Sequence, residues 1–577
     1  MQLKKEHCTG CGYCVLVCPY DALTSNGWAE LIPANCTDCN LCVYACPSDC
    51  FTPEPEFPLK PYHPRVKDEY DVVIIGSGLG GLMAGAALAQ AGRSVAVFEK
   101  LGFPGGRYTE LDYKGAAVTT GAWTNLGPKS HIGRFLAELG IELEYTSIAD
   151  VGLAEQYTLR FPDGRHYASL FDLLTPAARK AWLKAVLRGG EEAMRRGRGG
   201  AGEQGSRGAG EKSNPALQPS NLPTFQPFDF AQDKPSNPST SLRTSPPTFQ
   251  LSTLSAADYI AQFSNDPDLL AAVEAIAATA SGLSSQAMPA SEYIQITLDG
   301  REAGRDFAMP VGGVRAIIKA LTRALRQAGG ELFVRSPVAE ILTVPSVHPA
   351  EELVGTQGNL KHAEFLQVPP SSYLRSNLTA TGIKLADGRT IRSRIVLHNG
   401  GPHRFIQLVG ETNLPPDYLA RLTSLKGVEC AALFGATREP LFADAPITMT
   451  PCCRRVVGVF APTLLDPRLS KHGLHLFDAF FPVYSDDRTA ELELALADLR
   501  DLFPNFDEVV QWTVPMFFTG TWPGTESGQT FGQIGDDRLD PVTPIQNCFL
   551  VGMDVKGSGV AGDLIPLGVR RVLELLG

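Results

Sequence analysis

The pattern of apolar and polar positions changes character along the chain. From Tyr70, DVVII is a short uninterrupted apolar strand that runs into a Gly-rich turn and an Ala-rich helical stretch, and SVAVFEK follows as a second strand. That order predicts a βαβ unit with parallel strands. Upstream, residues 1–62 are Cys-rich and end among Pro53, Pro55, Pro58, Pro61 and Pro64, a composition that favours an extended, semi-rigid connector. Downstream, Arg196 to about Thr253 is rich in Gly, Ser, Pro, Gln and Asn and cannot bury enough apolar surface to offset its ordering entropy. A second irregular stretch runs from Val344 to Thr381. Helices and strands resume after both, so both read as long surface loops within one domain. Ser255, with Asp258 three residues on and an apolar run behind it, marks a helix start.

Composition narrows the function classes. The 577 residues are enough for at least two units, and 62 acidic against 51 basic residues give a net charge of -11. Nucleic acid is therefore not expected as a main partner, because neutralising phosphates takes clustered Lys and Arg. The longest apolar candidates, around Leu269–Leu283 and Leu79–Ala91, are short and broken by Glu or Gly, so the chain is expected to be soluble or at most peripheral to a membrane. No basic start with an apolar run and a cleavage site precedes the first Cys at position 8. Nine of thirteen cysteines lie in the first fifty residues at metal-ligand rather than disulfide spacing, which points to a reducing compartment, most simply the cytoplasm.

Cys8, Cys11, Cys14 and Cys18 precede Pro19 as CxxCxxCxxxCP, and Cys36, Cys39, Cys42 and Cys46 precede Pro47 in the same pattern. A cubane cluster takes four thiolates; three close cysteines wrap one cluster and the fourth, sent off by the proline turn, reaches the other. Paired structural zinc sites, the alternative, usually lack the third Cys and the CP ending. The module resembles the bacterial two-cluster ferredoxins over about 60 residues. That resemblance implies two [4Fe-4S] clusters, one on Cys8, Cys11, Cys14 and Cys46 and the other on Cys36, Cys39, Cys42 and Cys18. Cys50 reads as a spare ligand or an uninvolved thiol; Cys452 and Cys453 are adjacent and read as bland, Cys430 and Cys548 as core. Three lysines against seven carboxylates leave residues 1–62 at -4, and negative surroundings favour low potentials.

After DVVII come Gly76, Gly78 and Gly81 as GxGxxG, and Glu99 closes the next strand. The glycines allow backbone to approach a pyrophosphate at a helix N-terminus, and the acid can bind ribose hydroxyls. Gly105, Gly106 and Arg107, followed by Thr109, closely resemble the GGRxxT segment of the phytoene desaturase and amine oxidase flavoproteins; Pro310 with Gly312 and Gly313, the Gly329–Gly330 strand carrying Val338, and the segment ending HNGGP at Pro402 also match. The resemblance runs from about 70 to 577 without the insertions and is nearest to the phytoene desaturases, carotenoid isomerases and retinol saturases. It implies FAD, with Arg107 reaching the phosphates, the Val338 strand against the adenine, and Asp554 near the ribityl chain or phosphates. Gly557 to Gly562 is a literal GxGxxG, yet too few residues follow it for an independent NAD site. Pro566, Leu567 and Gly568 depart from the family's Ser-Gly in the last helix.

The expected architecture is an α/β flavoprotein, a Rossmann-type FAD-binding domain with an α+β substrate domain, preceded by a small α+β two-cluster ferredoxin-like domain. The ferredoxin domain spans 1–62, a linker 63–69 and the oxidoreductase 70–577. FAD-binding parts are expected at about 70–130, 305–345, 380–405 and 540–577, a substrate region at about 131–300 and 406–539, and disordered insertions at about 196–253 and 345–380.

Clusters pass single electrons and flavin handles two, so the fusion lets electrons be gathered stepwise for hydride chemistry. With clusters near about -400 mV and flavin about 200 mV higher, moving two electrons from flavin to clusters costs roughly 9 kcal/mol, and flow toward flavin is favoured. The expected reaction is reduction or isomerisation of a C=C bond in an apolar polyene or isoprenoid, fed by an external low-potential donor. The runner-up is desaturation with electrons leaving through the clusters; a third reading is an electron-transfer subunit with no substrate of its own. Segments Tyr259–Leu298 and Leu474–Trp522 are candidates to wall an apolar cavity, and Trp123 and Tyr113 to approach the flavin. The catalytic residue is unassigned; His131, His398 and His403 are the histidines available as proton donors. Drawing a polyene from lipid implies peripheral membrane contact.

Overall fold

The computed structural model describes residues 1–53, 66–121, 127–199, 251–303, 307–346, 376–520, 522, 527–557, 562 and 564–577. The N-terminal module is built twice. Short helices Tyr13–Val17 and Leu41–Ala45 each carry the third Cys of their motif, Cys14 or Cys42, and each end at the fourth, Cys18 or Cys46. The triplets need left-handed backbone at equivalent places: Gly10 (φ 78°) and Asp38 (φ 52°), Gly12 (72°) and Asn40 (64°). Strands Leu23–Ser25 and Ala29–Leu31 form one hairpin, and Gln2–Leu3 pairs with Phe51–Thr52 to tie the module's two ends together.

Glu69–Ile75, the helix Leu79–Gln90 and Val95–Phe98 form the expected βαβ unit, with parallel strands. The sheet grows outward in the order Glu331–Phe333, Val95–Phe98, Glu69–Ile75, Thr390–His398, Leu378–Leu385, Val338–Pro345, and Cys548–Leu550 joins beside Thr390–His398. The strands at its centre are apolar on both faces because both are covered. Helices Leu79–Gln90, Val314–Gln327 and Leu564–Leu576 fill one side, and Pro402–Val409 with Pro416–Thr423 fill the other.

The second large sheet runs His166–Tyr167, Tyr157–Arg160, Ile447–Met449, Gly458–Phe460, His475–Pro482, Cys430–Thr437, Val510–Phe518. Helices Ala256–Ala261, Pro267–Ser281 and Ala290–Ala303 pack with Pro176–Gly199 into an apolar cluster of their own. Ser255 caps the first of them, accepting from Asp258 N at 3.0 Å, as its spacing predicted.

Three boundaries differ from the sequence expectation. The helix Pro176–Gly199 continues past Arg196, where the insertion was expected to begin, and Leu378–Leu385 starts inside the second insertion. The helix His131–Glu138, grouped with the substrate region, instead buries Ile132, Phe135 and Leu136 in the nucleotide-binding core; an amphipathic helix takes whichever sheet its apolar stripe meets. Of the linker expected at 63–69, residues 66–69 are described and Glu69 already belongs to the first strand of the sheet; the remainder of both insertions lies outside the described residues.

Candidate functional sites

Cys8, Cys11, Cys14 and Cys46, the inner set, line one pocket together with Thr9, Ser25 and Cys50. Three of the thiols come from the first motif and one from the second, the crossing that the ferredoxin resemblance implies. Their relative exposures are 9, 9, 7 and 6%. Burial, with repulsion from Cys46 and Cys8, pushes the Cys11 thiol up to about 12, and burial raises Cys14 as well. Burial makes Cys11 and Cys14 resist ionising on their own, and a cationic iron core in place of their protons would hold them as thiolates. Backbone donors are in place for two of them: Ala29 N to Cys8 Sγ and Cys50 N to Cys46 Sγ, each 3.3 Å. In the outer set Cys42 is buried, Cys18 and Cys36 are half-buried and Cys39 is exposed. Burial together with Cys39 and Cys36 raises the Cys42 thiol to about 12. Among the described residues no three His, Cys, Asp or Glu side chains converge on a point that a single ion would occupy.

The module is docked against both larger sheets. Gly102 N donates to Tyr44 O (2.8 Å) and Phe517 N to Gly10 O (2.9 Å). Lys100 Nζ donates to Pro47 O and bridges Asp49. Arg488 lies 3.9 Å over the Trp28 ring and donates to Cys8 O, while Arg335 lies 4.0 Å over Tyr44. Tyr13, between Cys11 and Cys14, donates its buried hydroxyl to Thr120 O at 2.6 Å. Thr120 Oγ1 in turn donates to Gly106 O at 2.8 Å. One chain of bonds thus joins the inner cysteines to the Gly105-Gly106-Arg107 loop.

That loop completes the nucleotide site. Gly105 N donates to Ser77 O (2.9 Å), and Gly105 bridges Gly78. A Cβ on Gly81 would fall 2.1 Å from Gly76 O, so the turn into the helix tolerates only glycine there. Glu99, buried at the end of Val95–Phe98, accepts from Ser77 N and Oγ (2.9 and 2.7 Å) and from Leu101 N (2.8 Å), which fixes its carboxylate beside the turn. Ser336 N donates to Glu99 O, which brings the start of the Val338 strand alongside; Val338 O accepts from Arg404. Arg107 meets the Met553 thioether, one residue before Asp554, whose Oδ1 accepts from Ser527 N and Oγ. The glycine cradle, the fixed acid and the converging Arg107 and Asp554 suit a dinucleotide reaching from Glu99 toward the C-terminal turn.

Sequence reasoning missed three residues. Asn399 fills the space among Gly78, Gly80 and Gly552; its amide donates to Val551 O (3.0 Å) and accepts from Gly81 N (3.3 Å). The HNGGP segment was its only signal. Arg538, 4% exposed, donates to the carbonyls of Gln533, Ser527, Met553 and Val555 and pins the turn that carries Asp554. Glu292, also buried, accepts from Gln529 at 2.8 Å and ties the helix Ala290–Ala303 to the same segment.

Of the histidines, His398 is buried against Phe405 with Nε2 2.9 Å from Gly401 O, and burial lowers its pKa to about 4, so it is a neutral core residue. His403 is exposed on Pro402–Val409 and His131 opens an outer helix. Tyr113 stacks edge-on to Trp512 in the apolar seam beneath the module; Trp123 and most of the C-terminal GxGxxG lie outside the described residues. Cys548 is core, its thiol raised to about 12 by burial, and burial raises Cys452 and Cys453 too.

Residues 79–359 match the flavin containing amine oxidoreductase family, and residues 7–50 match the 4Fe-4S dicluster domain. The chain is an FAD-dependent oxidoreductase with a ferredoxin-like module for two [4Fe-4S] clusters. An uncharacterized protein of Methanocaldococcus jannaschii is 22% identical over 87% of this chain and 98% of its own. A phytoene desaturase of Cercospora nicotianae is 36% identical over 18% of this chain and 16% of its own, and an all-trans-retinol 13,14-reductase of Macaca fascicularis is 34% identical over 18% and 17%. The crystal structure of an oxidoreductase from Methanosarcina mazei shares the fold, with a TM-score of 0.63 at 22% identity over 87% of this chain and 99% of that one. No helix among the described residues is long and apolar enough to cross a membrane.

Proposed function

We propose that this enzyme takes low-potential electrons through its clusters and uses them to reduce or isomerise a C=C bond in an apolar polyene or isoprenoid. FAD supplies hydride chemistry at carbon and the clusters supply electrons singly. The observation that carries the reading is the Tyr13–Thr120–Gly106 chain, which sets the inner cysteines against the flavin loop rather than out in solvent. The outer set gives the donor its access: Cys39 is exposed, and Tyr20, Ile32 and Leu41, which neighbour the outer ligands in sequence, are among the exposed large apolar residues. Such a small apolar face suits the brief, low-area contacts of redox partners. The short similarity to a retinol reductase supports the substrate class, and that to a phytoene desaturase supports the runner-up, desaturation. A reducing compartment and peripheral contact with a lipid surface complete the reading.

The test is anaerobic reduction of the holoprotein with dithionite or reduced ferredoxin, then mixing with a panel of isoprenoid polyenes. Substrate-dependent flavin reoxidation without NADPH is the expected result. Strict NADPH dependence, or no response to any polyene, sinks it. Potentiometry that places both clusters above the flavin reverses the direction in favour of desaturation.

A further inference from the structure

The two halves of the iron–sulfur module differ at one telling place. Every ligand of the first motif recurs 28 residues on, Cys8 as Cys36 and Cys18 as Cys46, and the repeat continues past the ligands. Cys18-Pro-Tyr-Asp-Ala22 becomes Cys46-Pro-Ser-Asp-Cys50. The backbone repeats too. Asp21 and Asp49 both turn through left-handed φ (49° and 55°), and the next residue's carbonyl accepts an equivalent bond: Ile32 N to Ala22 O, and Lys4 N to Cys50 O, each 2.8 Å. With the same chain path in both halves, the chemical difference is a methyl group against a thiol.

That thiol is not idle packing. Cys50 is 3% exposed and lines the same cavity as Cys8, Cys11, Cys14 and Cys46. Its backbone N–H donates to Cys46 Sγ at 3.3 Å, and its thiol shares the pocket with the sulfurs of both Cys8 and Cys46. The inner ligands therefore face an S–H donor, and Ala22 has none to offer at the repeat-equivalent place of the outer set.

We propose that Cys50 is a positioning thiol whose S–H donates to the Cys8 and Cys46 thiolates and raises the potential of the inner cluster relative to the outer one. A donor to a ligand sulfur stabilises the more negative, reduced state, which moves a cluster potential upward. The outer cluster then passes its electron downhill to the inner cluster and on toward the flavin loop. The potential difference follows from the module alone; its use as a one-way gradient rests on the direction of flow proposed above.

The experiment compares the anaerobically reconstituted full chain with Cys50→Ala and Cys50→Ser variants by EPR-monitored redox titration, with iron counted in each. Cys50→Ala is expected to lower one cluster midpoint selectively, leave the other in place and keep about eight irons per chain. Cys50→Ser, which keeps a donor, is expected to restore part of the shift. Unchanged midpoints, equal movement of both, or loss of half the iron would overturn the proposal, the last by making Cys50 a ligand. These readouts involve no polyene, so a failed substrate panel leaves them standing, and a failed titration leaves the substrate reading intact.

Discussion

Glu110 offers a sharp test of how the flavin-side loops are held. Its carboxylate, almost wholly buried, accepts from Val314 N at 2.8 Å and Arg315 N at 3.4 Å, at the start of the helix Val314–Gln327. A Cβ on Gly313 would fall 2.0 Å from Glu110 Oε1, so the Pro310-Gly312-Gly313 turn is shaped around this acid. Burial outweighs the two N–H donors and Arg315 and raises the Glu110 pKa from 4.5 to about 7. The folded chain thus holds a proton that the unfolded chain has released. Stability from this group is fully present below pH 4.5 and is lost as pH rises through 7. At about 1.4 kcal/mol per pH unit, the difference amounts to roughly 3 kcal/mol. Glu110→Gln keeps an acceptor for Val314 and removes the titration. Urea midpoints of the two proteins, measured at pH 4.5, 6 and 7.5, should therefore converge or cross as pH rises, the wild type losing ground by about that amount. Parallel pH curves would refute the argument that burial governs this carboxylate.

Further expectations follow from single contacts. Gly81→Ala drives a methyl into Gly76 O and should abolish the 450 nm flavin absorbance while leaving the iron content unchanged. Cys46→Ala should remove the same EPR signal as Cys8→Ala, and Cys18→Ala the same as Cys39→Ala; loss grouped by motif instead of by crossing would contradict the shared cavity. Arg488→Ala removes the stack on Trp28 and the bond to Cys8 O, so module docking should weaken by about 2 kcal/mol and stopped-flow flavin reduction from the clusters should slow; an unchanged rate would mean that this contact does not hold the module in place.

What could be read in advance was whatever the chain states locally. The eight cysteines announce themselves by spacing because a cubane imposes short fixed intervals, and the first nucleotide turn does so because strand, glycines, helix and acid fall within thirty residues. Arg538 and Glu110 were silent for the opposite reason, and Asn399 showed only through HNGGP. Each works on backbone outside any motif it belongs to: Asn399 on Gly81, Arg538 on Met553 O, Glu110 on Val314. An isolated polar residue carries no mark of the backbone groups it will meet. The docking seam was equally hidden, since nothing local to Tyr13 points to Thr120, whose carbonyl its hydroxyl meets in the fold. The helix His131–Glu138 misled because its apolar stripe suits either sheet.

The seam has a consequence for biogenesis. Met516 and Phe517 press on Gly12 and Gly10 from outside the module, and the inner sulfurs are left almost no solvent path. Iron and sulfide reach the inner sulfurs only when this seam opens, so reconstitution is expected to fill the outer set, whose Cys39 is exposed, before the inner one.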